Sequence, residues 1–294
     1  MAVLVRFQDS ERIARVGLQI GSSIHDITDK VPSITAWLKA SVGRPQSAIE
    51  DLETAARSAR ITYLASVLDG PPIPNLATLT TPTERQDVWS VGVMETAFVK
   101  PALPANGTTS GELPSPARPA LLFRAKGEQV VAPYAQLGMR KDSEDTVAEA
   151  VLALLLNPAL EVVGYCLGTA MFARDIATAN PLYVSQAAFY SHAVSLGPGF
   201  VIQRVRSLAE LTLRLTIVRE KQIIFHGEAG LAIAQQDMMH LTDYLGRCNA
   251  FPDGAVLLVG SGIAIPAAFS VSTGDSIRVS ADGIGTLTNQ VMLV

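Results

Sequence analysis

Glu149 stands beside Val151 and Leu152 in an aliphatic stretch. A carboxyl buried among such side chains has its pKa raised and can serve as a general acid or base. At an exposed strand position it would be an ordinary solvated carboxylate. Ala173-Arg174-Asp175 places a guanidinium next to a carboxylate. Arg174 could bind a substrate carboxylate or an enolate through two parallel N–H donors, or it could close a structural ion pair with Asp175 or a neighbour. His192 follows Tyr190-Ser191 and titrates in the range a proton shuttle needs, though a lone histidine also serves structure alone. Ser261 sits in Gly260-Ser-Gly262, where a hydroxyl and adjacent amides suit a carboxylate ligand. It lacks the strand–GxSxG–helix setting of a nucleophile. Tyr183, Gln186 and Tyr190 offer hydrogen-bonding walls. His25, His226 and His240 have no neighbours that suggest a metal, and His226 in Phe-His-Gly-Glu reads as a hairpin turn.

These groups need a scaffold, and the composition supplies one. The chain has 294 residues, 48% apolar and 17% charged, with a formal net charge of −4. Such a chain buries a sizeable core and is not disordered. It lacks the basic footprint of a nucleic-acid binder. Cys166 and Cys248 lie far apart and read as reduced core thiols. The N-terminus alternates apolar and polar residues and meets charges early, unlike a signal peptide, and Val151–Leu156 is too short to span a bilayer. The expectation is a cytoplasmic protein that acts on a small molecule, with no nucleic-acid or membrane partner.

Residues 2–7 and 14–20 alternate as strands around a polar turn, and residues 33–67 carry helical spacing at Ile34, Trp37, Leu38, Ile49, Leu52 and Ala55. Gly70-Pro-Pro-Ile-Pro74 breaks the chain, which predicts a small N-terminal domain over 1–75 and a larger one over 76–294. The larger part is rich in strands: Val151–Leu156, Glu161–Leu167, Thr212–Val218, Gln222–Phe225, Ala255–Val259, Ser276–Ser280 and Thr286–Val291, with a helix within Leu231–Arg247. Residues 101–119 read as a long loop. The fold class is α+β with a β-rich larger domain.

From about residue 82 onward the chain resembles the fumarylacetoacetate hydrolase superfamily, and within it the 2-keto-3-deoxy-arabinonate dehydratase-like branch. The likeness rests on Asp87-Val-Trp-Ser-Val-Gly-Val93, Arg118-Pro-Ala-Leu-Leu-Phe-Arg124, Val162-Val-Gly-Tyr165, Ala173-Arg-Asp-Ile176, Asn180-Pro-Leu-Tyr183 and Leu196-Gly-Pro198. Phe251-Pro-Asp-Gly-Ala-Val-Leu-Leu258, Gly260-Ser-Gly262, Gly283-Ile-Gly-Thr-Leu287 and Asn289 complete it. The resemblance implies a mixed β-roll catalytic domain, commonly homodimeric, behind a smaller N-terminal domain. It also implies a hard divalent cation that chelates a 2-oxo acid and stabilises its enolate.

The metal pattern of that superfamily is a Glu-x-Glu on a strand, an Asp after the Gly-Tyr stretch, and a Lys about twenty residues later. The correspondence places Glu149 at the first Glu, Val151 at the second, Ala170 at the Asp and Ala188 at the Lys. One carboxylate among aliphatic side chains gives little return for dehydrating Mg²⁺, so the expectation is no bound metal and no cofactor. A displaced site built from Asp142, Glu144, Asp145 and Glu149 is the alternative. The family's acidic and basic lid pair is not recognisable in Met94–Lys100, where Glu95 is the evident acid–base group. The reading that follows is a metal-independent acid–base enzyme for an enolisable keto or 1,3-dicarbonyl compound, using Glu149, Arg174 and His192, with Tyr183, Gln186, Tyr190 and Ser261 binding substrate. Cyclisation, isomerisation, dehydration and decarboxylation all suit it. Its alternatives are a metal-dependent hydrolase or dehydratase of a 2-oxo acid, and a non-catalytic binding protein on the same fold.

Overall fold

The computed structural model describes residues 2–9, 11–21, 23–62, 78–91, 119–202, 211–231 and 235–294. The domain boundary expected near residue 75, Glu95 and all but the last residue of the loop expected over 101–119 fall outside the described residues.

Alternation of apolar and polar residues pairs β1 (Ala2–Gln8) with β2 (Ala14–Ile20) in a regular antiparallel hairpin, extended by β3 (Ser23–Asp26) and β4 (Arg60–Thr62). Between β3 and β4 lie α1 (Ile34–Ala40) and α2 (Pro45–Arg57). Ser33 caps α1 by accepting from the Ala36 N–H, and the Glu84 carboxylate accepts from the N–H groups of Ile34 and Thr35. A negative charge at a helix N-terminus satisfies orphan donors and opposes the helix dipole. Pro45 opens α2, where its missing N–H costs nothing. Trp37, Leu38, Ile49 and Leu52 then face the core.

The larger part of the chain completes two sheets. The strands are β5 (Thr78–Leu79), β6 (Asp87–Val91), β7 (Leu121–Ala125), β8 (Gln136–Met139), β9 (Thr146–Leu156) and β10 (Val162–Ala173). They continue with β11 (Val194–Val201), β12 (Thr212–Arg219), β13 (Gln222–Gly230), β14 (Ala255–Gly260), β15 (Ser276–Ala281) and β16 (Gly285–Leu293). One sheet runs β4-β3-β2-β1-β11-β10-β9-β14-β6-β7, with β5 on β1. The second runs β13-β12-β15-β16-β8. Most neighbours are antiparallel, while β14–β6 and β16–β8 are parallel, so both sheets are mixed. The β1–β11 pairing makes the N-terminal strands part of the large sheet.

The core lies between the sheets. Leu213, Leu215 and Ile217 of β12 point inward, as do Ile277 and Val279 of β15 and Leu287 of β16. β9 is buried at every position except Glu149, and β10 nearly throughout, which is why both read as almost unbroken aliphatic runs. Short helices α3 (Arg174–Ala179) and α4 (Val184–Ala188) follow β10, and α5 (Gln235–Gly246) follows β13. The fold is α+β, a pair of mixed sheets with few helices.

Several sequence expectations change here. His226 is not in a turn: it lies within β13 opposite Thr216, and the turn falls at Glu220-Lys221, both at positive φ. Only tertiary pairing with β12 carries β13 through the glycine at 227. β11, which runs through Leu196-Gly-Pro-Gly199, is buried throughout because it is sandwiched between β1 and β10. Cys166 is buried, and burial pushes its thiol pKa up, but Cys248 is exposed and is not a core thiol. No helix among the described residues is long and apolar enough to cross a membrane.

Asp275 joins the two ends of β12 and β15. It is fully buried and accepts from Arg219 Nε at 2.8 Å, Arg219 Nη2 at 2.9 Å and the Ser272 N–H at 2.8 Å. Replacing it by Ala leaves those donors unmatched. D275A is expected to lose about 2–4 kcal/mol of stability, measured as a lower urea midpoint at unchanged slope.

Candidate active site

A cavity of about 470 Å³ opens where β9 passes between β10 and β14. Residues two apart on a strand share a face, and Val147, Glu149 and Val151 of β9 all line it. Ala170 pairs directly opposite Glu149 and lines it too. The segment after β14, from Gly260 to Ala267, forms the other wall, largely through Ile263, Ala264 and Ile265. Such a volume suits a small organic molecule.

Glu149 is half-buried at the cavity wall. Burial raises its carboxyl above the usual carboxylate range, and the charge of Arg124 draws it part of the way back. Ser261 is buried beside it: its N–H donates to Ala150 O at 3.2 Å, and its hydroxyl oxygen accepts from the Ile263 N–H at 3.4 Å. The amide is therefore committed to the backbone. The hydroxyl proton remains able to meet a ligand.

Arg174 also lines the cavity, but its donors are taken up by the protein. Nε donates to both oxygens of Asp145 (3.1 and 3.0 Å), and Nη2 to Asp145 Oδ1 at 2.6 Å. Nη1 reaches Pro266 O at 3.1 Å, while Nη2 also reaches the carbonyls of Ala267 and Phe269. Arg174 thus ties β10 to the start of β9 and to the wall segment 266–269, in the structural sense its sequence context allowed. The partner is Asp145, not Asp175. Asp175 instead accepts from Ser143 Oγ and the Glu144 N–H. Those hydrogen bonds outweigh the upward pull of burial and hold its carboxyl below the usual range.

The remaining expected residues are not brought to Glu149. His192 lies at the surface in a separate groove with Ser191, Val131 and Met292, its backbone carbonyl bonded to the Gly138 N–H. Tyr183 and Gln186 are exposed on the helical segment after β10. Tyr190 is half-buried and donates to Gly138 O at 3.3 Å, and burial pushes its phenol pKa up. None of these four lines the Glu149 cavity. Ala188 is buried in a small cluster with Phe172 and Ala187 and is not a cavity wall either. Spacing along the chain located β9 and Ser261, but it could not tell which face of the 181–192 segment turns inward.

One functional candidate did not stand out by residue type. Arg124 on β7 is fully buried, and its Nη2 donates to Met171 O at 2.7 Å. Its signal in the sequence was a lone cation inside the apolar run Leu121-Leu-Phe-Arg-Ala125.

The donors that the described residues place around Glu149 do not fit a divalent metal. Val151 and Ala170 put methyl groups on the cavity wall beside Glu149, and the other cavity carboxylate, Asp145, is held by Arg174. The displaced acidic site also disperses, since Asp142 is paired with Arg140. Among the described residues no group of three His, Cys, Asp or Glu could hold a metal ion.

Comparison with known proteins completes the picture. Residues 104–292 match the family model for the fumarylacetoacetate (FAA) hydrolase C-terminal region. The chain is 30% identical over 240 residues to a Haloferax volcanii protein named "Probable 2-keto-3-deoxyxylonate dehydratase", covering 81% of this chain and 82% of that one. It is 30% identical over 175 residues to the 2-dehydro-3-deoxy-D-arabinonate dehydratase of Saccharolobus solfataricus, covering 59% of each. Among solved structures it resembles a 2-keto-3-deoxy-D-arabinonate dehydratase complexed with magnesium and 2,5-dioxopentanoate. The TM-score is 0.80 at 22% identity, covering 100% of this chain and 99% of that one. Motifs, fold and family model agree, and this chain belongs to the fumarylacetoacetate hydrolase family.

Proposed function

We propose that this protein is a lyase that dehydrates a small enolisable 2-oxo acid of the 2-keto-3-deoxy sugar-acid class, with Glu149 transferring the proton. The observation that carries the reading is Glu149, a half-buried carboxylate in a mainly apolar cavity of substrate size whose other described carboxylate, Asp145, is held by Arg174. The relatives named as dehydratases support the reaction type. They weigh against the cyclisation or isomerisation of a larger dicarbonyl.

The chemistry asked of Glu149 is a β-elimination. The hydrogen on C3 is acidified by the neighbouring 2-oxo group. Glu149 accepts that proton, and the C–H electron pair forms the C3–C4 double bond. The C4 hydroxyl leaves as it receives the proton back, so one water departs and the carboxylate is regenerated. Ser261, buried on the same wall, can donate its hydroxyl proton to the substrate carboxylate or to the developing enolate oxygen. The aliphatic walls exclude water, which strengthens both interactions.

A second reading is favoured by the solved relative that holds magnesium with 2,5-dioxopentanoate: metal-dependent dehydration of the same substrate class. The two readings agree on substrate and reaction and differ in the source of electrophilic help. Among the described cavity residues Asp145 is held by Arg174 and Glu149 is left to meet a substrate, and no catalytic step of this chain is assigned to a metal.

The base must be ionised to accept a proton. Because burial raises the Glu149 pKa, activity is expected to rise with pH through a value above the ordinary carboxylate range and to be lost below it. E149Q is expected to reduce kcat by about 10²–10⁴-fold and to abolish that acidic limb. A pH–rate profile with 2-keto-3-deoxy acids of five and six carbons checks both. Retention of wild-type turnover in E149Q would remove this assignment. A parallel assay after EDTA treatment, with and without added Mg²⁺, separates the two readings: unchanged turnover supports the acid–base reading, and loss restored by Mg²⁺ supports the metal-dependent one.

A further inference from the structure

The cavity wall formed by residues 260–267 is backed by the hairpin of β12 and β13. Gly227 lies directly opposite Leu215 in that ladder, and Phe225 lies opposite Ile217. Residues directly opposite one another share a face of a sheet. Leu215 lines the cavity and Ile217 is buried, so this face looks into the protein. Two side chains from the segment after β14 rest on it. Phe269 packs against Phe225, with ring centroids 5.2 Å apart at an interplanar angle of 42°. Ile263, which lines the cavity, comes down over Gly227.

That approach leaves no room for a side chain. A Cβ at position 227 would stand 2.7 Å from Ile263 Cγ2 and 3.1 Å from Phe225 Cζ. The first distance is well inside the roughly 3.5–4.0 Å of carbon–carbon contact. The Cγ2 methyl sits on the Cβ of a β-branched residue, whose χ1 is stiff, so it does not swing aside as the tip of a long side chain would. Glycine weakens a strand and often marks a place where another part of the chain comes close. On β13 the part that comes close is a wall of the cavity. A side chain at 227 has to move either that wall or the strand. The ladder with β12 is regular from Gly230 to Phe225, which holds the strand. Ile263 lies between Gly227 and the cavity, so the wall yields into the cavity.

We propose that Gly227 is a positioning residue for the cavity. By presenting no side chain it lets Ile263 stand back against β13, and this sets how long a carbon chain the cavity admits beyond the 2-oxo acid group. The inference rests on the proposed function for the class of ligand, and it is read by binding rather than turnover.

Calorimetric titration of the full chain with 2-oxobutanoate and 2-oxohexanoate tests it. Wild type is expected to bind both. G227A is expected to weaken 2-oxohexanoate about tenfold more than 2-oxobutanoate, the scale of one misfitting methyl group in an apolar pocket. I263A removes the methyl that stands over Gly227, and in that background G227A is expected to lose its selectivity between the two acids. A strand that was only destabilised at 227 would weaken both acids alike and would not be rescued by truncating Ile263. Equal weakening of the two acids by G227A, or selectivity that persists in I263A, therefore overturns the proposal. Unchanged binding of both acids by G227A also overturns it, because β13 has then bent away and left the wall in place. Should G227A fail to fold, I263A alone decides: it is expected to shift preference toward 2-oxohexanoate, and no shift overturns the proposal. Wild type that binds neither acid removes the 2-oxo acid class and the inference with it. Wild type that binds both acids but dehydrates no 2-keto-3-deoxy acid fails the proposed reaction and leaves the role of Gly227 to be decided by the variants.

Discussion

β9 and β10 form an antiparallel ladder from Ala173↔Thr146 to Val162↔Leu156, and almost every residue in it is buried. With side chains alternating every residue, the register of this ladder decides what each one touches. Glu149 comes to the cavity wall opposite Ala170, between Val147 and Val151. A slip of one residue would turn the carboxylate to the other face of the sheet and drive aliphatic side chains to the cavity. The register is held at both ends. Asn157 closes the β9–β10 turn by accepting from the N–H groups of Ala159 and Glu161. At the far end the Arg174 N–H donates to Asp145 O, and its guanidinium clamps the Asp145 carboxylate.

Charge inside this scaffold obeys one rule: each buried ion needs its counterpart nearby, since desolvation otherwise costs several kcal/mol. Asp275 has Arg219, and Arg174 has Asp145 with three carbonyls besides. These pairs divide the polar residues near the cavity into two sets. Arg174 and Asp145 neutralise one another and hold the wall together. Glu149, whose carboxyl faces the cavity, and the Ser261 hydroxyl are left to meet a substrate.

Kinship and local chemistry bear on different questions. The family model shows which family the chain belongs to, and the relatives named as dehydratases bear on the reaction that we propose. The donor set speaks to how that chemistry is assisted, and the described residues around Glu149 offer a metal few ligands. A fold preserved at a TM-score of 0.80 with 22% identity can keep its cavity while the residues in it change, because the ladder register depends on backbone pairing and apolar burial rather than on which polar groups project from it.

Much of this was legible in the order of residues. The hairpin over 2–20 follows from period-two alternation, the helices at 34–57 from period-four spacing with Ser33 and Pro45 at their starts, and β9, β10, β12 and β14 from unbroken aliphatic runs. The resemblance implied Val151 and Ala170 at positions where the family pattern has carboxylates, and strand spacing put Glu149 and Val151 on one face. Other features needed the folded chain. β11 hides behind Leu-Gly-Pro-Gly, and His226 looks like a turn until β12 pairs with it. His192, Tyr183 and Gln186 stand near Glu149 in motif order but not in space. Arg174 proved a clamp for Asp145, 29 positions away, and Arg124, the extra residue where the β6–β7 register shifts, reached the Met171 carbonyl on β10. Period and propensity are local and act within a few residues. Which charges meet is decided by how distant strands close on one another, and no stretch of sequence carries that by itself.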